Sequence, residues 1–200
     1  MKIVFMGTPD FSVPALEELA KVHQVAAVVT QQDRPKGRGH KMQYTPVKEK
    51  ALNPDVIVVI AFGQILSKEI LDLPKYGCIN VHASLLPKYR GAAPIQWAVI
   101  DGEEETGVTT MYMAEGLDTG DVIDTAVIKL DEKETGGSLF DKLAIEGGKL
   151  IVETLSKLEN GTATRTPQDD EKSSYAGKIT KELGQIDFTK PAVTIERLIR

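Results

Sequence analysis

Hydrophobic and polar positions alternate along the first half of the chain in a way that predicts buried strands joined by helices. Four short runs are apolar and rich in β-branched residues, which is typical of strands buried on both faces. They span residues 2–6, 25–30, 55–61 and 78–82. Amphipathic helices are predicted at about residues 11–22 and 67–73. Strands and helices in this order predict an α/β fold with a doubly wound, mostly parallel sheet.

The second half of the chain predicts two more strands and three more helices. The strands are expected at residues 106–113 and 122–130, and the helices at residues 94–100, 136–158 and 193–200. Asn160 and Gly161 follow the longest helix and are expected to end it, because both residues tolerate the left-handed conformation found at helix C-termini. The last helix has no capping residue, so the chain is expected to stop within that element.

The most informative segment is residues 78–87, because its predicted strand carries two polar side chains and then ends in a loop. Successive strand residues point to opposite faces, so Asn80 and His82 share one face of the sheet. An amide donor and a titratable imidazole are therefore placed side by side. Further along, Asp118 lies in a glycine-flanked turn and offers a carboxylate of the kind that orients or charges a catalytic imidazole.

Each of these residues also has a plainer interpretation. A single His after a strand is more often a hydrogen-bonded surface residue, and an Asp between glycines is usually a turn former. Their combination with Asn80 and with the loop that follows favours a catalytic site. Ser84 in that loop is interpreted as a loop-forming hydroxyl, because no Gly-x-Ser-x-Gly motif surrounds it. Glycine-rich phosphate fingerprints and a Walker sequence are missing, so nicotinamide and nucleoside triphosphates are not expected as cofactors.

The sequence NVHASLLPKYRG at residues 80–91 resembles the signature of the folate-dependent formyltransferases. Within that family, four further segments resemble the methionyl-tRNA formyltransferases and occur in the same order. These are MGTPDF (residues 6–11), QDRPKGRG (32–39), GAAPIQ (91–96) and ETGVT (105–109). The resemblance runs from Lys2 to Arg200 with one gap. It implies a Rossmann-like formyltransferase fold and a catalytic set formed by Asn80, His82 and Asp118.

Transfer of a formyl group between two nitrogens requires an amine to attack a formamide carbonyl, which produces a tetrahedral oxyanion. Asn80 is suited to donate its amide hydrogen to that oxygen, a contact worth roughly 3 kcal/mol when removed. His82 is suited to donate when protonated, or to carry protons between the incoming amine and the departing folate nitrogen. Asp118 is expected to stabilise the imidazolium, or to act through a bound water on the attacking ammonium. This chemistry needs no metal.

The resemblance implies that the formyl donor is 10-formyltetrahydrofolate. Ligands of an open parallel sheet bind beyond the carboxyl ends of its strands, and the loops after two predicted strands lie at that edge. The residues implied to bind the folate are Phe62, Gly63, Gln64, Ile65, Leu66, Ser84, Leu85, Leu86 and Pro87. The plainer interpretation of the apolar residues in the first loop is ordinary core at a strand end.

Charge is unevenly distributed along the chain. The net charge is −5, which alone argues against a nucleic-acid partner. Between residues 31 and 50, however, six Lys and Arg residues face only two carboxylates. Such a strip suits phosphate contact, although it also suits a solvated loop. The resemblance implies that this segment binds the acceptor end of tRNA, and the implied contacts are Phe11, Arg34, Lys36, Arg38 and Lys41.

The chain departs from the family pattern in two places. Family members carry a further strand and helix after the basic segment, whereas here Ala51 is followed almost directly by the strand at residues 55–61. Members also continue into a small β-barrel domain that contributes to tRNA binding. We therefore expect a formyltransferase catalytic domain at residues 1–188 and the start of a linker towards such a barrel at residues 189–200.

Composition limits the remaining possibilities. The 200 residues include one cysteine, Cys78, which excludes an internal disulfide and a zinc site built on paired cysteines. Cys78 is interpreted as a small buried strand residue. No apolar run approaches the roughly 20 residues of a membrane span, and the N-terminus has no signal-peptide pattern. We therefore expect a cytoplasmic protein without a membrane partner. A monomer is also expected.

The favoured function is formylation of the α-amino group of methionine on initiator tRNA, with initiator methionyl-tRNA and the folate donor as partners. Two alternatives keep the same catalytic set: a sugar-nucleotide N-formyltransferase, which does not need a basic segment at residues 32–39, and a 10-formyltetrahydrofolate hydrolase. A third alternative is a non-catalytic module that binds folate or tRNA. That module would bind without turnover.

Overall fold

Strands and helices alternate through the structure, a computed structural model that describes residues 1–30 and 54–200. The strands are β1 (Lys2–Gly7), β2 (Gln24–Val29), β3 (Val56–Ile60), β4 (Cys78–His82), β5 (Arg90–Gly91), β6 (Glu105–Tyr112), β7 (Val122–Lys129) and β8 (Tyr175–Ala176). The helices are α1 (Val13–Val22), α2 (Lys68–Leu71), α3 (Pro94–Asp101), α4 (Gly136–Glu159) and α5 (Ala192–Ile199). Every predicted element is present within two residues of its predicted bounds. The two-residue strands β5 and β8 were not predicted.

Six strands form one mixed sheet in the order β2-β1-β3-β4-β6-β7. The first four are parallel to one another, and β6 and β7 continue the sheet as antiparallel strands. The predicted α/β fold with a mostly parallel, doubly wound sheet is therefore confirmed. One detail differs: β2 is only partly buried, because it is an edge strand of the sheet in the described residues.

The two faces of the sheet are covered unequally. On one face, α1 and α4 bury a large core through Leu19, Leu143 and Ile151, each fully inaccessible to solvent. On the other face, a smaller cluster contains Met6, Val59 and Cys78 and is covered by α2 and the loop before it. Burial of apolar surface against both faces fixes the positions of the central strands and of the loops at their ends.

Helix α4 has clear start and stop signals. Thr135 caps its N-terminus in a reciprocal capping box with Ser138. At the other end, Asn160 is the C-cap and Gly161 has a φ of 70°, so the predicted helix end is confirmed. Within the helix, a Cβ on Gly148 would lie 3.2 Å from backbone atoms of Pro14 and Ala15. Glycine at this position lets α4 pack closely against the start of α1.

Cys78 has the structural role predicted for it. Its side chain is buried and its thiol donates to the carbonyl oxygen of Ile70 at 3.5 Å. Burial raises the pKa of the thiol to about 12, so the sulfur stays protonated at neutral pH. A protonated, buried thiol is a poor nucleophile, which leaves Cys78 as a packing residue of β4.

The short strands β5 and β8 pair with each other and attach the C-terminal segment to the loop after β4. Arg90 pairs with Tyr175 and Gly91 with Ala176. Helix α5, in the segment predicted as a linker, packs on α3, and Arg197 donates to the Asp101 carbonyl at 3.4 Å. None of the helices in the described ranges is long and apolar enough to cross a membrane.

Candidate active site

Strand β4 carries Asn80 and His82 on one face, and the predicted alternation is confirmed. Ile79 and Val81 point into the large core between the sheet and helices α1 and α4, whereas Cys78 belongs to the opposite cluster. Asn80 is partly exposed. Within residues 1–30 and 54–200, its side-chain amide makes no hydrogen bond. The amide hydrogens of Asn80 are therefore available to a ligand at the carboxyl end of β4.

His82 is oriented by a hydrogen bond at one ring nitrogen and faces a carboxylate with the other. Its side chain is 7% exposed, and Nε2 lies 2.9 Å from the carbonyl oxygen of Tyr89. A carbonyl accepts only, so Nε2 carries a hydrogen and donates it. The neutral ring then has its lone pair on Nδ1, which lies 3.7 Å from Oδ2 of Asp118. This arrangement leaves Nδ1 as the nitrogen that takes up or releases a proton.

Asp118 reaches His82 from the turn between β6 and β7. The residue has a φ of 53°, in the left-handed region that non-glycine residues seldom adopt. Its Oδ2 accepts a hydrogen bond from the backbone N–H of Gly91 at 2.8 Å, and its side chain is 12% exposed. Gly91 has a φ of 116°, a conformation that favours glycine. The carboxylate is thus fixed between β5 and the imidazole.

Tyr89 anchors the carbonyl that orients His82. Its hydroxyl contacts Asp101 Oδ2 and Glu103 Oε1, each at 2.8 Å. Burial and these two carboxylates raise the pKa of the Tyr89 hydroxyl above its usual range, so it remains a donor. Because the ring is anchored in this way, the Tyr89 carbonyl is held in place for His82. The positioning roles of Tyr89 and Gly91 were missed, although both lie within the signature sequence at residues 80–91.

The loop after β4 is pinned by hydroxyl groups. Ser84 is fully buried, and its Oγ donates to the carbonyl of Lys88 at 2.6 Å. Thr109 on β6 donates to the Ser84 carbonyl at 2.6 Å and accepts from the Leu86 N–H at 3.2 Å. The interpretation of Ser84 as a loop-forming hydroxyl is therefore confirmed, and the Leu86–Pro87 peptide bond in this loop is cis.

The loop after β3 divides the predicted apolar wall into two parts. Phe62 and Leu66 are 8% and 7% exposed and belong to the smaller core cluster, as their plainer interpretation predicted. Between them, Gly63 and Gln64 are exposed, and Ile65 is 79% exposed. The middle of this loop therefore presents surface to a ligand, whereas the rings and branches on either side of it do not. Phe62 and Leu66 instead fix the loop to the sheet.

The predicted tRNA contacts fall into two groups. Arg34, Lys36, Arg38 and Lys41 lie outside the described residues. Phe11 is 4% exposed, and its ring packs edge-on against Phe140 with centroids 5.2 Å apart. The prediction that Phe11 contacts tRNA is not supported, because the ring is part of the core between α1 and α4.

Two cavities in the structure lie away from the candidate site. One, of about 260 Å³, lies between α3, α5 and residues 179–184, and the other, of about 380 Å³, lies beside the Tyr89 and Trp97 rings. Neither is lined by Asn80, His82 or Asp118. Among the residues that the structure describes, no group of three or more His, Cys, Asp or Glu side chains is arranged to hold a metal ion.

Comparison of the sequence with known families gives a match to the family described as formyl transferase over residues 48–155. The chain is also 60% identical to the methionyl-tRNA formyltransferase of Agathobacter rectalis, over 100% of this chain and 73% of that protein. That alignment has 225 positions against 200 residues here, so 25 positions have no counterpart in this chain. A strand and a helix of ordinary length would fill a gap of this size.

Two of the solved structures with a similar fold are named as formyltransferases. The N-formyltransferase from Helicobacter canadensis, in complex with folinic acid and dTDP-3-aminofucose, has a TM-score of 0.79 and 24% identity over 100% of this chain and 80% of its own. The formyltransferase PseJ from Anoxybacillus kamchatkensis, in complex with UDP-4,6-dideoxy-4-formamido-L-AltNAc and tetrahydrofolate, has a TM-score of 0.70 and 25% identity over 99% and 97% of the two chains.

Proposed function

Since the chain belongs to the methionyl-tRNA formyltransferases, a branch of the formyl transferase family, we propose that it transfers a formyl group from 10-formyltetrahydrofolate to the α-amino group of methionine on initiator tRNA. The resemblance expected from the motifs is confirmed by these relatives. The observation that carries the proposal is the meeting of His82 Nδ1 and the Asp118 carboxylate at 3.7 Å, beside the amide of Asn80 at the end of β4.

Asn80 stabilises the charge that develops on the formyl oxygen. The α-amino nitrogen attacks the formyl carbon, a new carbon–nitrogen bond forms, and the electron pair of the carbonyl moves to oxygen. The Asn80 amide, which has no other partner among the described residues, donates to this oxyanion. Collapse of the intermediate restores the carbonyl and breaks the bond to the folate nitrogen.

His82 moves the proton between the two nitrogens. Its Nε2–H is committed to the Tyr89 carbonyl, so Nδ1 accepts the proton that the attacking amine releases. The same nitrogen then donates a proton to the departing folate nitrogen. Asp118 faces Nδ1 and stabilises the imidazolium that exists between these two transfers.

The folate donor is assigned to the loops after β3 and β4. Support comes from the exposed Gly63, Gln64 and Ile65 in the first loop and from the backbone of residues 84–87, which Thr109 holds in place. The acceptor tRNA is assigned to the basic segment that contains Arg34, Lys36, Arg38 and Lys41. Residues 1–188 act as the catalytic domain in this proposal, and the protein acts as a monomer in the cytoplasm.

The direct test incubates the protein with 10-formyltetrahydrofolate and methionyl initiator tRNA and measures formyl-methionine and tetrahydrofolate together. Equal amounts of both products are expected. Tetrahydrofolate without formyl-methionine would indicate hydrolysis, and neither product would indicate a binding module. A parallel reaction with a dTDP-amino sugar as acceptor tests the activity of the structurally similar sugar formyltransferases, and formylated sugar in place of formyl-methionine would overturn the proposed acceptor.

A further inference from the structure

Gln168 connects the Asp118 turn to Arg90, at a site that the proposed mechanism does not use. Its Nε2 donates to the carbonyl oxygens of Asp118 and Gly120, at 2.8 and 2.7 Å. Its Oε1 accepts from Nε and Nη2 of Arg90, at 3.0 and 2.9 Å. The Arg90 side chain is 12% exposed and also pairs with Asp170 at 2.8 Å. One amide therefore joins β5 to the turn that carries the predicted catalytic carboxylate.

The orientation of this amide follows from its partners. Arg90 has only donors, so the atom that faces it must be the amide oxygen. The two backbone carbonyls only accept, so the nitrogen must face them. Both hydrogens of the nitrogen and the oxygen of Gln168 are used at once. An amide meets this demand, whereas a carboxylate of the same size would place an acceptor against two acceptors.

The Asp118 turn needs such a restraint because its backbone is strained. Asp118 has a φ of 53°, in the left-handed region that residues other than glycine seldom adopt. Gln168 binds the carbonyl of Asp118 itself and that of Gly120, two residues later. Without these bonds, the turn is free to relax towards an ordinary conformation. Relaxation would carry the carboxylate away from both the Gly91 N–H and His82.

We propose that Gln168, itself oriented by Arg90, is a positioning residue that keeps the Asp118 carboxylate directed at Nδ1 of His82. The proposal rests on the function proposed above for what Asp118 does, but the positioning is measurable without turnover. Among the described residues, Gln168 makes no hydrogen bond to His82 or Asn80, so its effect on catalysis is argued through Asp118.

The first test measures amide hydrogen exchange by NMR in the variant Gln168→Glu. The Gly91 N–H bonds only to Asp118, whereas the neighbouring Ala92 N–H bonds to the Ala176 carbonyl at 2.9 Å. Exchange at Gly91 should therefore accelerate by about tenfold or more while exchange at Ala92 keeps its wild-type rate. The matched control is Gln185→Glu, the same chemical change at an exposed position. Wild-type protection of Gly91 in Gln168→Glu would overturn the proposal.

The second test is a double-mutant cycle on formyl transfer. In Gln168→Glu, kcat should fall about 10- to 100-fold, as small misplacements of catalytic groups do, with both KM values within about twofold of wild type. In an Asp118→Ala background, the same change should have no further effect on kcat, because the carboxylate that Gln168 positions is already absent. A further loss in that background, or a wild-type kcat in the single variant, would overturn the proposal.

The outcomes separate this proposal from the proposed function. If the wild-type protein does not formylate methionyl-tRNA, the function fails, and exchange at Gly91 still decides whether Gln168 positions Asp118. If Gln168→Glu does not fold, as judged by circular dichroism, Gln168→Met replaces it in both tests. That variant removes the donors without adding a charge, and the expected and contrary results are the same.

Discussion

His82 exchanges protons at one ring nitrogen because the other is bonded to a backbone carbonyl. The bond from Nε2 to the Tyr89 carbonyl orients the ring and fixes the tautomer of its neutral form. Two residues later, Gly91 donates its N–H to Asp118. The segment from residue 89 to residue 91 thus sets the positions of both members of the His–Asp pair, although none of its side chains touches the reacting atoms in our proposal.

We expect Asn80→Ala to lower kcat for formyl transfer by about 10²–10³-fold, because it removes the donor to the oxyanion. The affinity for the folate donor should be nearly unchanged, since the charge that Asn80 stabilises is present only in the transition state and the tetrahedral intermediate. Steady-state kinetics with equilibrium binding of the donor measures the two effects. Equal losses of binding and turnover would identify Asn80 as a structural residue instead.

Asp118→Asn tests whether the negative charge of Asp118 stabilises the imidazolium of His82. The oxygen Oδ2 of Asp118 both accepts from the Gly91 N–H and faces Nδ1 of His82, so an Asn oxygen that keeps the first contact also keeps the second. A neutral amide oxygen stabilises the imidazolium much less than a carboxylate does, so kcat should fall by about 10²-fold. The measurement is kcat across neutral pH, with the melting temperature as control. Wild-type rates at every pH would exclude Asp118 as the partner of His82.

Strand alternation was sufficient to predict that Asn80 and His82 share a face, because a period of two is a local property of the backbone. The approach of Asp118 rested on the family resemblance, since it depends on a turn 36 residues away folding back onto β5. Gln168 was not predicted at all. It lies in a polar stretch without periodicity, 50 residues after Asp118, and only the folded chain brings them together. Phe11 belongs to the same motif set but is buried in the core, and its contact with tRNA stays a prediction.

Long elements were predicted well because their signals repeat. The helical periodicity of α4 and the continuous apolar runs of β3 and β4 each extend over several residues. Strands β5 and β8 have only two residues each, which is too short for any period. Their pairing is created by tertiary contacts, such as the Ser174 hydroxyl that accepts from the Tyr89 N–H at 2.8 Å.

A buried acid, Glu134, lies just before the N-cap of α4, and its ionisation should affect stability. The Glu134 side chain is 1% exposed and accepts from Lys142 at 2.6 Å and from the Ser138 hydroxyl. Burial raises the pKa of this carboxyl, but its hydrogen bonds to Lys142 and Ser138 outweigh burial and leave the pKa lowered. A lowered folded-state pKa stabilises the protein above the unfolded value of 4.5, and this stabilisation is lost as the pH falls.

Glu134→Gln should therefore lower the free energy of unfolding by about 1–3 kcal/mol at pH 7, the cost of losing hydrogen bonds to a charged group. The difference from wild type should shrink as the pH falls below 4.5. Urea titrations at several pH values measure it. Asp141→Asn, on an exposed position of the same helix, is the matched control. A difference independent of pH would show that the charge of Glu134 does not stabilise the fold.

At the scale of the whole molecule, the edge of the sheet carries the candidate site and its faces carry the hydrophobic cores. Its carboxyl edge carries Asn80, His82 and the loops after β3 and β4, whereas its two faces supply the cores that hold this edge rigid. Charge is separated as well. Six positive and two negative residues lie between residues 31 and 50, so the remainder of the chain carries a net charge of −9. An acidic body repels RNA, and any attraction must come from the basic segment.

This separation predicts how tRNA binding responds to Arg38→Ala. Removing one phosphate contact should raise KM for methionyl-tRNA several-fold and reduce the dependence of log KM on log salt concentration by about one unit of slope. KM for the folate donor should not change, because the donor is assigned to the loops after β3 and β4 and not to the basic segment. The control is Lys178→Ala, an exposed cation outside the segment. An unchanged KM and salt slope in Arg38→Ala would remove this residue from tRNA recognition, and an equal change in Lys178→Ala would mean that net charge alone sets the attraction.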